Sequence, residues 1–96
     1  MMLNSKQRAK LRAMANNIPA LYQVGKNGVT LNFVHQIMDA LEAKELIKIT
    51  VLENSNSDTR EICQEVCERC DAEPVLVIGN KFVIYKESRK NKKIIL

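Results

Sequence analysis

Residues 20–52 decide the fold: Ala20-Leu21-Tyr22-Gln23-Val24, then Gly25-Lys26-Asn27-Gly28-Val29-Thr30, then Leu31 through Lys44, then Leu46-Ile47-Lys48-Ile49-Thr50-Val51-Leu52. The first five residues form a short apolar strand, and two glycines three apart let the chain turn tightly behind it. Thr30 is a good N-cap for the helix that follows. Leu31, Phe33, Val34, Ile37, Met38 and Leu41 recur at helical spacing and predict a buried stripe. Leu46–Leu52 alternates and is rich in β-branched residues, so it is a strand with Ile47, Ile49 and Val51 facing the core. Strand, loop, helix and strand in that order make a β-α-β unit, whose strands run parallel.

The flanks extend the pattern. On the N-terminal side, Asn4 with Gln7 three residues later reads as a capping box, with Leu3 as the staple before it. The first helix runs from there to about Asn16, and Pro19 pushes Ile18 out of helical geometry. On the other side, 53–57 is a polar loop, and Ser57 is placed to cap a third helix ending near Cys70. Pro74–Ile78 and Phe82–Lys86 read as strands joined by the turn residues Gly79-Asn80-Lys81. Ser88–Lys93 reads as a mobile basic tail, with Ile94-Ile95-Leu96 docking or fraying. The order αβαβαββ predicts an α/β fold, a compact two-layer domain with a mixed four-stranded sheet. A chain of 96 residues holds one such domain, taken as 1–87, with 88–96 as the basic C-terminal tail. The start turns polar at once and no apolar run is long enough to span a bilayer, so a soluble cytoplasmic protein is expected, with no membrane partner.

The net charge of +4 conceals segregation. Residues 1–38 hold five basic residues and no acid, 39–80 hold ten acids against four bases, and 81–96 hold six bases against Glu87. Two cationic ends around an anionic middle give a positive side if the ends meet, the footprint of a polyanion partner. Catalytic chemistry is missing from the pattern: no Ser/His/acid set, no paired-carboxylate signature and no phosphate loop of the G-x-x-x-x-G-K-[ST] type. No enzyme, cofactor or small-molecule substrate is expected. His35 falls on a polar helical face and reads as solvated. Cys63, Cys67 and Cys70 share one face of the third helix, where core packing outweighs a metal site short of a fourth ligand.

A binding surface fits better. The first helix supplies Lys6, Arg8, Lys10 and Arg12, and the glycine loop supplies Lys26 and Asn27 between Gly25 and Gly28. Behind that loop, the helix starting at Thr30 directs free N–H groups and its positive dipole end toward the same place. The last hairpin and tail supply Gly79, Asn80, Lys81, Lys86 and Arg89, followed by Lys90, Lys92 and Lys93. Lysines and arginines neutralise phosphates without choosing sequence. The glycine loop adds close approach to a sugar-phosphate chain, as in loops that clamp single-stranded RNA. Tyr22 and Tyr85 are the candidates for base stacking, and Phe33 and Phe82 read as core. So few aromatics favour recognition of RNA backbone or shape.

Ser5-Lys6-Gln7-Arg8 with Leu11-Arg12, Val24 to Thr30, Ala40-Leu41 with Glu45 to Ile49, Val77-Ile78-Gly79, and Val83-Ile84-Tyr85-Lys86 occur in the order seen in CRM-domain proteins. The chain resembles the single-domain, bacterial YhbY-like type over residues 3 to 87. The resemblance implies a fold similar to the C-terminal domain of translation initiation factor three, with a G-x-x-G loop likened to that of KH domains. It also implies RNA as partner, in particular ribosomal RNA or its precursor in large-subunit assembly, since YhbY-like proteins associate with that precursor. Lys86 stands where the family often has arginine, which keeps the charge and loses the planar fork. The cysteine trio is not part of the family pattern. A monomer is expected. The alternative is a protein-interaction adaptor on assembling ribosomal particles that uses the acidic third helix.

Overall fold

A computed structural model describes residues 3–52 and 58–96; the loop 53–57 and its Ser57 cap lie outside the described residues. The elements are α1 (Ser5–Ala15), β1 (Ala20–Val24), α2 (Leu31–Lys44), β2 (Leu46–Val51), α3 (Thr59–Cys70), β3 (Glu73–Ile78) and β4 (Lys81–Tyr85). The capping box at Asn4 and Gln7 forms as expected, and Thr30 Oγ1 accepts the N–H of Phe33 at 3.1 Å. The strands make one mixed sheet in the order β1-β2-β4-β3. β1 and β2 are parallel, and β4 is antiparallel to both its neighbours.

The last strand therefore occupies the middle of the sheet beside β2. Phe82, Val83, Ile84 and Tyr85 are all buried, and a strand covered on both faces needs such an unbroken apolar run. As a result, the second strand-helix-strand unit is not a neighbouring parallel pair, because β4 inserts between β2 and β3. Alternation along β4 sends Phe82 and Ile84 to one face, and Val83 and Tyr85 to the other.

Helices α2 and α3 cover the first face. Phe33, Val34, Ile37, Leu41, Ile62 and Val66 pack there on Ile47, Ile49, Val51, Phe82 and Ile84. The stripe of α2 is narrower than its sequence suggests: Leu31 and Met38 are exposed, and Ala40 takes an inward place. At 3.6 residues per turn, both exposed residues sit about 100–120° round the helix from Ile37, off the packed face. Cys63, Cys67 and Cys70 are buried and unpaired on the inner side of α3.

Beyond these two layers, α1 and the C-terminal segment lie on the opposite face. Leu3, Leu11, Ala15 and Ile94 pack there against Leu46, Val75, Val83 and Tyr85. Tyr85 is only 1% exposed, so it belongs to the core and is corrected as a stacking candidate. A register shift between Pro74 and Leu76 turns both Val75 and Leu76 toward this face.

The residues read as a mobile tail are instead pinned. Glu45, buried at 0% exposure with φ 67°, accepts N–H bonds from Ser88 (2.8 Å), Lys93 (2.6 Å) and Ile94 (2.7 Å). The Glu42 carboxylate takes the Ser88 hydroxyl and the N–H groups of Arg89 and Lys90, both at 3.1 Å. Burial works to raise the Glu45 carboxyl, but the three backbone N–H groups outweigh it and hold it below the usual carboxylate value. Glu42 is lowered chiefly by the Ser88 hydroxyl, then by the backbone of Arg89 and Lys90. These partners are 43 to 49 residues apart in sequence, which is why local pattern did not expose them.

Candidate nucleic-acid interface

Strand direction sorts the basic residues between two ends of the sheet. Val24, Val51, Ile78 and Lys81 lie at one end, and Leu46, Glu73 and Tyr85 at the other, about 15–20 Å away at the usual rise per residue. The glycine loop is at the first end. Gly28 N–H donates to Gly25 O at 3.0 Å, closing a turn that leaves Lys26 and Asn27 exposed at its tip. Gly28 has φ +70°, which a side chain rarely tolerates, whereas a Cβ on Gly25 would only touch Leu52 Cδ1 at 3.9 Å. Thr30 N–H donates to Gly28 O at 3.1 Å, so the turn runs directly into the N-terminus of α2.

Two braces fix this loop. Leu52 N–H donates to Val24 O at 3.0 Å, which continues the β1–β2 pairing to the loop's base. Arg69, from the last turn of α3, donates to Val29 O at 2.6 Å and lies 3.6 Å from Glu65. The β3–β4 hairpin lies along the same end. Asn80 both accepts from Val51 N–H (2.7 Å) and donates its side-chain amide to Val51 O (3.3 Å), clamping the hairpin onto β2. Lys81 is exposed beside it and points to the same face as Val83, the face that carries α1.

That face also holds Lys48, which the sequence reading passed over. Ile47 and Ile49 face α2 and α3, so alternation puts Lys48 and Thr50 on the other side, opposite Val83 and Lys81. Gly25 to Gly28, Thr30, Asn80 and Lys81 are thus brought together around one end of the sheet, with Lys48 at mid-strand on the adjoining face.

The remaining candidates lie elsewhere. Lys86 follows the alternation to the α3 side, where its Nζ donates to Cys70 O at 3.2 Å and complements the negative end of α3. The Arg89 backbone sits on Glu42 at the far end. The four basic residues of α1 split into two flanks. Arg8 donates to Pro74 O and stands with Arg12 on one side, while Lys10 donates to Ile95 O and stands with Lys6 near the C-terminus. Tyr22 has Lys44 Nζ 5.5 Å over its ring, so a cation already occupies that face.

The three cysteines are buried but differ in character: Cys63 is held below the usual thiol value, chiefly by its bond to the Cys67 sulfur, which outweighs burial. Cys67 is pushed up by its bond to the Cys63 sulfur and by burial, and Cys70 is pushed up by burial, so both stay neutral thiols. Among the described residues, no group of three or more His, Cys, Asp or Glu side chains is arranged to hold a metal, and no helix is long and apolar enough to cross a membrane.

Comparison with known proteins gives the family and the fold. The family model described as the CRS1 / YhbY (CRM) domain matches residues 3–86. The chain is 43% identical over 93 residues to the Probable RNA-binding protein YqeI of Bacillus subtilis, covering 97% of each. It is 29% identical over 90 residues to an RNA-binding protein of Haemophilus influenzae, covering 94% of this chain and 91% of the relative. The solution structure of the hypothetical protein SAV1595 from Staphylococcus aureus superposes with a TM-score of 0.82 at 45% identity, covering 99% of both chains. The relatives are named for RNA binding and not for an enzymatic activity. A family match across nearly the whole chain, with this fold, places the protein in the CRS1/YhbY (CRM) domain family.

Proposed function

We propose that this protein binds RNA without covalent chemistry, and that its target is ribosomal RNA or its precursor during assembly of the large ribosomal subunit. The observation that carries the reading is the exposed Lys26-Asn27 tip, held in a Gly28-dependent turn at the N-terminus of α2. There a phosphate meets an ammonium group and the positive end of a helix, and small residues let the sugar-phosphate chain come close. Lys81 and Lys48 extend the positive surface onto the adjoining sheet face. The basic flanks of α1, with Lys6, Arg8, Lys10 and Arg12, supply a second set of phosphate contacts for a folded RNA. The names of the relatives support RNA as the ligand class, and ribosomal RNA follows from the resemblance to YhbY-like proteins.

Crosslinking in cells followed by sequencing of the attached RNA tests this reading. Enrichment of large-subunit ribosomal RNA or its precursor is expected, and recovery of no RNA above background would overturn it. A second reading rests on the acidic outer side of α3, where Glu61, Glu65 and Glu68 are exposed and Glu68 lines, with Asp71, a cavity of about 650 Å³ against β3. An adaptor docked there by a basic protein would stay with that protein after nuclease treatment, whereas an RNA binder would be released.

A further inference from the structure

α1 leaves part of its sheet face uncovered, and the gap is a distinct cavity. It measures about 230 Å³ and lies between the C-terminal end of α1 and the sheet. Its floor is apolar, made by Ala15, Leu76 and Val83. Lys48, Lys81, Asn16 and Ile78 complete its lining, and Ile78 is 61% exposed. No acidic residue lines it.

We infer that this cavity receives one unpaired nucleobase of the RNA whose backbone crosses the glycine loop. The inference rests on the RNA-binding reading above and adds a base-binding site to it. Four features fix the ligand class. The volume falls below the range of about 300–1,000 Å³ typical of drug-sized ligands, so the occupant is a small group. An apolar floor suits the flat face of a heterocycle, while a bare phosphate would gain nothing from it. The Asn16 amide offers both a donor and an acceptor, the combination that a base edge presents in return. The two ammonium groups require an anion attached to that flat group, which a nucleotide supplies and an apolar peptide side chain does not.

Position supplies the link to the loop. Lys81 lies opposite Thr50 on β2, and Thr50 opposite Gln23 on β1, one residue before Val24 and two before Gly25. Two strand spacings make about 10 Å, so a chain seated at Lys26 passes over the cavity within a few nucleotides. Bases in a duplex are stacked and paired and cannot enter, so the cavity selects a single-stranded or bulged segment.

The test uses the full chain and two probes: a short oligouridylate, and an oligomer of the same length and charge whose sugars carry no bases. Fluorescence anisotropy reads the affinity of the wild type, of the charge-neutral double variant Asn16→Ala/Ile78→Ser, and of Lys26→Glu. Both residues of the double variant are exposed, so the fold is kept. The wild type should prefer the base-bearing oligomer by about fivefold, the low end of base contacts because no aromatic ring is present. The double variant should lose that preference while binding the abasic oligomer unchanged, and Lys26→Glu should weaken both oligomers alike. Equal wild-type affinity for the two oligomers, or a preference untouched by the double variant, would overturn the cavity while Lys26→Glu still reports backbone binding. Failure of the wild type to bind either oligomer would overturn both the cavity and the RNA reading.

Discussion

Replacing Glu45 by glutamine is a sharp test of how the C-terminal segment is held. The glutamine keeps the shape and the backbone of Glu45, whose N–H donates to Leu41 O at 2.8 Å and whose carbonyl accepts from Lys86 at 2.9 Å. It removes the charge and turns one oxygen into a donor. With Oε1 kept toward Lys93 and Ile94, the new NH₂ faces the Ser88 N–H, a donor against a donor. One bond to a charged group, worth ~1.5–3 kcal/mol, is lost, and two others fall to neutral strength at ~0.5–1 kcal/mol each. The sum is about 2.5–5 kcal/mol, out of a total of ~5–14 kcal/mol for a chain of this length. At ~4–8 °C per kcal/mol, Tm falls by roughly 10–40 °C. The pH dependence adds a second check. The folded carboxyl titrates below its unfolded value, so its stabilisation is present above the unfolded carboxylate range and is lost as pH falls through the folded value. Urea and thermal unfolding of both proteins at neutral and acidic pH should show the gap closing in acid. In a chain ending at Glu87 the same substitution should cost little, because its partners are gone. A gap below ~1 kcal/mol at neutral pH, or the same gap in the shortened chain, would refute the account.

Other perturbations separate local causes. Gly28→Ala should lose ~1–2 kcal/mol because its φ is positive, and Gly25→Ala should stay within ~0.5 kcal/mol, both read by urea unfolding. Phe82→Ala empties a fully buried site in the central strand and should cost ~3–5 kcal/mol. Thiol titration should find Cys63, Cys67 and Cys70 unreactive in the native protein and reactive in denaturant, with no change in Tm on adding a chelator.

How far the sequence could be read depends on the range over which each feature is specified. The caps at Asn4 and Thr30 and the alternation in β2 act within a few residues, so their signals are local and the structure reproduces them. The same alternation already assigned Lys48 to the face opposite Ile47 and Ile49, and only its neighbours were invisible. The central place of β4 was legible in its unbroken apolar run once burial on both faces was considered. The Glu45 lock, the Arg69 brace on Val29 and the turn of Lys86 toward Cys70 join residues brought close only by tertiary folding. Composition therefore pointed to residue types suited to a polyanion surface but could not divide them between the two ends of the sheet.

The central claim is that Lys26 at the glycine loop and Lys81 at the hairpin face one RNA together. Its most direct test is the affinity of Lys26→Glu/Lys81→Glu for a large-subunit ribosomal RNA transcript, measured over a range of salt concentrations. Both side chains are exposed, so Tm should not move. The account predicts affinity weakened at least tenfold, with the slope of log K against log salt shallower by about two. Wild-type affinity and slope in the double variant would contradict it.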